Sequence, residues 1–326
     1  MKLTPKVTLL AAGVFVATSL TACAGGTASA GNAAGTQPKL TFIQGVAGDE
    51  FYVSMQCGID AAAKAAGATV NTQGPAKFDP TLQKPIVDSV VASKPDAILI
   101  APTDVAAMQA PLKAAAAAGI KVILVDTTVQ DPSFAASAIA SDNKGGGLEA
   151  FKAIKNLSPG GGKVLVISTD PGVSTADARV AGFEEGAKAD PSFEYLGVQY
   201  SHNDPAEAAK LVSAALAKDP DIVGVFAANT FAAEGTATGI RQAGKQNQVK
   251  IIGFDAGPAQ VKQLKDGVVQ ALIAQEPASI GTQGVDQAMK AIKGESTQKE
   301  IQTGFKQITA DNISSDGAEY VYKSSC

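Results

Sequence analysis

Residues 249–277 read VKIIGFDAGPAQVKQLKDGVVQALIAQEP, and the order of residue types within them constrains the fold strongly. An apolar, β-branched run from Val249 to Phe254 has the length of a buried strand. It stops at Asp255. Ala256, Gly257 and Pro258 then open a helix, with proline suited to a first turn. A second apolar run from Val268 stops at Gln275. Two predicted strands thus each end in one polar side chain. In open α/β sheets such ends mark the crevice where ligands bind.

The same unit recurs along the chain. The periodicity predicts strands over residues 40–46, 68–72, 97–101 and 121–125, with helices over 51–66, 80–93 and from Pro111 to Gly119. After AIASDN (138–143) the alternation restarts. Helices are expected over 144–156, 174–188, 205–217, 231–243 and 278–293, and strands over 163–168, 194–200 and 222–226. Irregular chain is expected after Lys293. The predicted fold is α/β: two doubly wound parallel-sheet lobes, for which 326 residues suffice.

The amino terminus reads differently. Lys2 and Lys6 precede an apolar segment too short to span a bilayer, and it ends in Leu20-Thr21-Ala22-Cys23. This is similar to a bacterial lipobox. Residues 1–22 are expected to be a lipoprotein signal peptide, Cys23 the lipid anchor, and residues 23–38 a flexible Gly/Ala/Ser/Thr tether. The expected location is outside the cell membrane, held to its outer face. Two of the 27 basic residues leave with the signal, against 31 acidic residues. With no Lys/Arg run, nucleic acid is excluded as a partner. Cys57 and Cys326 remain, and an exported protein permits a disulfide between them. A buried thiol and an unpaired tail is the other possibility.

Signatures of catalysis are weak. His202 is the one histidine and lies on a polar stretch. No His/Cys cluster suggests a metal, and no cofactor motif is present. Gly160-Gly161-Gly162-Lys163 lacks the spacing of a phosphate-binding loop. Asp49 and Glu50 are neighbours on one loop, a poor match for opposed catalytic carboxylates. A polar set at or near strand ends carries more information: Asp49, Asp126, Asn229, Asp255 and Gln275, with Arg179 near a helix start. Asp, Asn and Gln exchange hydrogen bonds with hydroxyls, and an Arg fork holds two oxygens. Phe51 and Tyr52, beside the first strand end, offer an aromatic face to a sugar's C–H face. Each of the polar residues taken alone could equally be a helix cap.

These stretches resemble the ribose/galactose-type solute-binding proteins of ABC transporters, with the type I periplasmic binding protein fold. The resemblance runs from Lys39 to about Lys306. It is carried by FYVSMQCG (51–58), ILIAPTD (98–104), GIKVILVD (119–126), IASDN (139–143), RVAGF (179–183), VFAAN (225–229), IIGFDAGP (251–258) and ALIAQEPASIG (271–281). It implies a sugar site of Asp49, Phe51, Tyr52, Asp126, Arg179, Asn229, Asp255 and Gln275, and a three-stranded hinge near Ser141, Gln275 and Lys306. The lobes are then expected to be residues 39–140 with 276–305, and 141–275 with 306–326. A permease in the membrane is the implied partner, and a monomer is expected.

The chain departs from the family at three further candidate positions. Thr127 replaces an arginine of ribose-binding members, Asn203 takes the place of a second-domain phenylalanine, and Glu50 stands where proline is usual. Thr230 and Phe231 replace an acidic pair after Asn229. With less stacking surface and more carboxylates, the expected ligand is a neutral pentose, furanose or acyclic sugar alcohol. A sugar acid is disfavoured by charge. A sugar-sensing transcription factor would need a basic DNA-binding segment before the first strand, where a signal peptide lies. An exported carbohydrate-active enzyme would need a nucleophile–base or carboxylate pair. A receptor feeding a signalling partner is the nearest alternative to transport.

Overall fold

The structure, a computed structural model, describes residues 37–326. The expected signal peptide, Cys23 and nearly all of the tether lie outside the described residues. Strand and helix alternate as β1 (Lys39–Ile43), α1 (Glu50–Ala66), β2 (Thr69–Gln73), α2 (Pro80–Ser93), β3 (Ala97–Ile100), α3 (Gln109–Ala117), β4 (Lys121–Val125) and β5 (Ser137–Ser141). Then come α4 (Asn143–Leu157), β6 (Gly162–Ser168), α5 (Ser174–Ala189), β7 (Phe193–Tyr200), α6 (Pro205–Lys218), β8 (Ile222–Ala227) and α7 (Thr230–Gln242). The order closes with β9 (Lys250–Phe254), α8 (Pro258–Lys265), β10 (Ala271–Gln275), α9 (Pro277–Lys293), β11 (Glu300–Thr303) and β12 (Phe305–Ile308).

Two six-stranded sheets result, in the orders β11-β5-β4-β3-β1-β2 and β12-β10-β9-β8-β6-β7. Every pairing is parallel except β12 with β10. The chain passes between sheets after β5, after β10 and at Gly304, between β11 and β12. Helix α9 returns to the first lobe, packing on α1 and β4.

Sequence dictates this layering. The central strands are apolar throughout because helices cover both faces of a parallel sheet. In β4, Val122 and Leu124 enter one core while Ile123 and Val125 enter the other. Edge strand β2 (TVNTQ) has no fully buried residue, as suits a solvent-facing edge. Helix starts follow capping rules. Asp79 accepts from Thr81 N–H, Asp204 from Ala206 and Glu207 N–H, and Asn229 from Ala232 N–H.

The expectation of irregular chain after Lys293 is corrected. β11 and β12 are short edge strands, EIQT and FKQI, whose pairing is fixed by the neighbouring strand and leaves no apolar run to read. β5, SAIAS, is likewise a strand that its periodicity does not reveal. Beyond β12 the chain turns back across the lobes. Cys326 is joined to Cys57 of α1 by a disulfide, with Cα atoms 5.3 Å apart. Closing a loop of 269 residues stabilises by up to about 5 kcal/mol in the chain-entropy model.

In the second lobe an aromatic cluster fixes α5 to the sheet. Phe183 is fully buried, lies against Phe226 at 5.2 Å in a stacked arrangement, and meets Phe151 edge-on at 5.6 Å. Phe183→Ala is expected to cost about 3–5 kcal/mol, read as a lowered midpoint in urea unfolding.

Candidate functional site

Strand ends from both lobes meet at one cavity. Two aspartates, Asp126 after β4 and Asp255 after β9, occupy equivalent places. Each N–H still bonds to the neighbouring strand, Asp126 to Ile139 O and Asp255 to Ile273 O, both at 2.8 Å. Each then turns left-handed, with φ of 65° and 78°. That conformation costs an L-residue about 1–2 kcal/mol, and aspartate tolerates it better than most residue types. The turn points each carboxylate into the cleft and ends the strand.

The cavity is lined by Asp49, Phe51, Tyr52, Phe78 and Asp126 from the first lobe. The second lobe contributes Thr169, Val173, Thr175, Ala176, Arg179, Asn203, Asn229 and Asp255, with Gln275 at the crossing between lobes. All three aromatic rings lie on the first-lobe wall. The opposite wall is polar or small. The free space at its centre is about 50 Å³.

Arg179 is buried and held on three sides. Its Nε donates to Asn143 Oδ1 and its Nη1 to Ala228 O, each at 2.8 Å, and its guanidinium carbon lies 3.8 Å from the Phe254 ring centre. Helix α4 touches α5 at this residue: a Cβ on Gly147 would stand 2.0 Å from the Arg179 carbonyl oxygen. The glycine therefore sets the depth of the arginine. Nη2 has no hydrogen-bond partner among the described residues, so this arm of the fork is left for the cavity.

Three carboxylates line the cavity with that one cation, and Arg179 acts on Asp126. Asp126 is pushed up to about 6, chiefly by desolvation, with the Arg179 charge and the Tyr52 hydroxyl pulling it back. Tyr52 Oη donates to Asp126 Oδ2 at 2.9 Å, and its own ionisation is driven well above the usual range, first by burial. Asp49 is pushed up to about 7 by desolvation and then by the charge of Asp255, although its Oδ1 also caps α1 through Phe51 N–H at 2.8 Å. Asp255 already receives four donors. Oδ1 accepts from Gln275 Nε2 (2.7 Å) and Tyr322 Oη (3.0 Å), and Oδ2 from Thr230 N–H (3.2 Å) and Oγ1 (3.3 Å). A ligand hydroxyl would have to share or displace the two long Thr230 bonds. Gln275 Oε1 and Thr169 Oγ1 are buried with no partner among the described residues. Such atoms are costly unless a ligand or water satisfies them.

Nine of the eleven ligand-site residues expected from sequence line this cavity, and two do not. Thr127 follows the left-handed turn, which directs it away from the cavity. Its hydroxyl donates to Pro102 O at 2.7 Å and ties two loops of the first lobe. Glu50 begins α1 and faces the outer mouth of the cleft with Phe231 and Glu234. Glu234 is raised there by burial and then by the Glu50 charge. Asn203 reaches the cavity from a turn in which His202 and Asn203 both have φ of 54°, and it accepts from Asn229 Nδ2 at 2.6 Å. His202 itself is exposed and pairs with Asp170 at 2.5 Å.

The sequence reading missed Phe78, Thr169, Val173, Thr175 and Ala176. Thr169 directly follows β6, so the strand-end rule applied there would have found it. Phe78 sits in a loop with no periodicity to expose it. Its place is made by Gly45: a Cβ there would come within 2.6 Å of the Phe78 ring and 2.3 Å of Tyr52 Oη. The expected poverty of stacking surface is corrected on the first-lobe wall and holds on the second, which has no aromatic.

These features define a class: two α/β lobes on three crossings, closing a polar cavity between their strand ends, with no group of three or more His, Cys, Asp or Glu placed for a metal among the described residues. A family model described as periplasmic binding protein domain matches residues 40–296. The chain belongs to this family, in its type I sugar-binding branch. The members it is similar to are binding proteins and not enzymes. The ribose import binding protein of Bacillus subtilis (strain 168) is 30% identical over 256 residues, 78% of this chain and 82% of that protein. The ribose import binding protein of Salmonella typhimurium is 35% identical over 65% of this chain and 70% of its own. A solute-binding protein of an ABC transporter from Agrobacterium vitis, solved with α-D-tagatopyranose, aligns with a TM-score of 0.86 at 40% identity, covering 88% of this chain and 100% of that one. A second from Agrobacterium vitis, solved with D-fucose, aligns at 0.83 and 32% identity over 87% of this chain and all of its own.

The raised aspartates have a signed effect on stability. Folding penalises the charged form of Asp126, so its contribution falls as pH rises from the ordinary 3.8 to about 6. Relative to wild type, Asp126→Asn is expected to gain up to about 3 kcal/mol between pH 4 and pH 7. Parallel urea titrations check this, and a difference that does not change with pH contradicts it. Gly45→Ala is expected to displace Phe78 or Tyr52 and to weaken ligand binding at least tenfold by calorimetry with a small change in melting temperature.

Proposed function

We propose that this chain is the extracytoplasmic solute-binding protein of an ABC importer and captures one neutral monosaccharide or sugar alcohol between its lobes. The cavity carries the proposal: an aromatic wall on one lobe, a hydrogen-bonding wall on the other, and unpaired buried oxygens on Gln275 and Thr169. Phe51, Tyr52 and Phe78 offer apolar surface to one face of a ring or carbon chain. Arg179 Nη2, Asn203, Asn229, Thr169 and Asp255 meet hydroxyls on the other, and Asp49 and Asp126 reach hydroxyls from the aromatic side. Because both walls contact the ligand, binding favours the closed arrangement, and hinge motion at the three crossings accompanies it.

Stacking on one face only favours pentoses, furanoses and acyclic polyols over pyranoses that gain from a sandwich. The relatives named above support a small sugar: ribose in the names of two, tagatopyranose and fucose in two structures. Three carboxylates against one arginine disfavour sugar acids. Delivery to a membrane permease, action as a monomer and anchoring through a lipid on Cys23 complete the proposal. Supporting them are the family and the lipobox-like Leu20-Thr21-Ala22-Cys23.

Thermal unfolding of residues 24–326 against pentoses, hexoses, four- to six-carbon alditols and sugar acids tests it. A ligand at a hundred times its dissociation constant adds about 2.7 kcal/mol. A clear upward shift is expected with one stereochemical group of neutral compounds, lost in Arg179→Ala. A shift confined to sugar acids, or to none of the panel, overturns it.

A further inference from the structure

The carboxyl-terminal tail touches both lobes at their ligand-facing groups. After a short 3₁₀ turn (Ala318–Tyr320), Tyr322 is buried at the back of the sugar cavity. Its backbone N–H donates to Ala256 O at 3.0 Å, in the second lobe. Its hydroxyl accepts from the Gln275 N–H and donates to Asp255 Oδ1, each at 3.0 Å. Its ring lies 5.8 Å from that of Phe51, on the first lobe's α1. One residue later the attachment changes lobe. Lys323 N–H donates to Ser54 Oγ at 2.7 Å, and Cys326 is bonded to Cys57, both on α1.

The tail is therefore a fourth connection between lobes, alongside the three crossings. A cavity of about 350 Å³ separates part of it from the crossing at 275–279. Gln275 lines both this cavity and the sugar cavity. The Tyr322 ring is packed in the core, and the disulfide is the covalent link that holds the end of this tail to α1.

We propose that Tyr322 is a positioning residue of the sugar site, aligning Asp255 and Gln275 through its hydroxyl, and that the Cys57–Cys326 disulfide fixes it there by strapping the tail to α1. The hydroxyl has two partners that themselves pair, Asp255 Oδ1 with Gln275 Nε2 at 2.7 Å. Donating to the first while accepting from the second's N–H, it fixes which Asp255 oxygen serves Gln275. The unpaired Gln275 Oε1 is thereby presented to the cavity. Without the hydroxyl, Asp255 loses one of four donors and the Gln275 N–H is left buried without an acceptor. This rests on the sugar-binding reading above, but half of its test does not.

The test uses the mature chain as wild type, Tyr322→Phe, Asp255→Asn, their double variant, and Cys57→Ser with Cys326→Ser. In the absence of sugar, amide exchange at Gln275 is expected to quicken at least tenfold in Tyr322→Phe, and also in the serine pair, whose changes lie at the far end of the strap. With the sugar that stabilises wild type, Tyr322→Phe is expected to weaken binding about tenfold by calorimetry. It is expected to cost little more in the Asp255→Asn background, since the hydroxyl acts through that carboxylate. Gln275 exchange unchanged by the serine pair overturns the strap. Additive losses in the double variant, or full affinity in Tyr322→Phe, overturn the positioning role. If no sugar binds wild type, the receptor reading falls while the exchange measurements still decide the strap. Should the serine pair fail to fold, wild type under reductant replaces it.

Discussion

One buried guanidinium among three carboxylates sets the character of this molecule. Arg179 is held by Asn143, Ala228 and Phe254, all in the second lobe or at its entry. Asp126, which it stabilises most directly, belongs to the first. Attraction between them acts across the cleft, while the surplus negative charge of Asp49 and Asp255 acts against closure. A polyol resolves this imbalance better than water trapped in a tight space. Its hydroxyls donate to carboxylates and accept from the guanidinium without adding charge. A second anion would worsen the imbalance.

The fold exists to hold these groups at fixed depth. Doubly wound sheets put the carboxyl ends of their parallel strands on one edge, and two such edges facing each other make a cavity with almost no loop of its own. The left-handed turns at Asp126 and Asp255, the α4–α5 contact at Gly147, and the aromatic stack under α5 all serve this placement. The tail adds a covalent fastening at the back of the hinge through Cys57 and Cys326.

Much of this was legible because burial leaves a strong trace in sequence. An apolar run ending in a polar residue pointed to Asp126, Asn229, Asp255 and Gln275, which all line the cavity; Asn229 also caps α7. Other features left no such trace. Phe78 is a loop aromatic whose partner is created by the absence of a side chain at Gly45, 33 positions earlier in a different element. Thr127 enters through the resemblance, in place of a family arginine, but the reversal of φ at Asp126 sends its side chain elsewhere. Glu50, standing where the family has proline, begins α1 and lies at the outer mouth of the cleft rather than in the cavity. β11 and β12 are strands by virtue of their neighbours. Tyr322 could not be found from its own surroundings, since its partners Asp255 and Gln275 lie 67 and 47 residues away.

The central claim is that ionised carboxylates accept the hydroxyls of a neutral ligand. Calorimetric titration of the bound sugar from pH 8 to pH 5 tests it most directly. Asp49 and Asp126, with pKa values of about 7 and about 6, take up protons across this range. Affinity is predicted to weaken progressively below about pH 7, and the Asp126→Asn variant to show a shallower dependence. Affinity that holds constant or tightens on acidification would contradict the claim and would assign the grip on the sugar to the arginine, the amides and the aromatic wall instead.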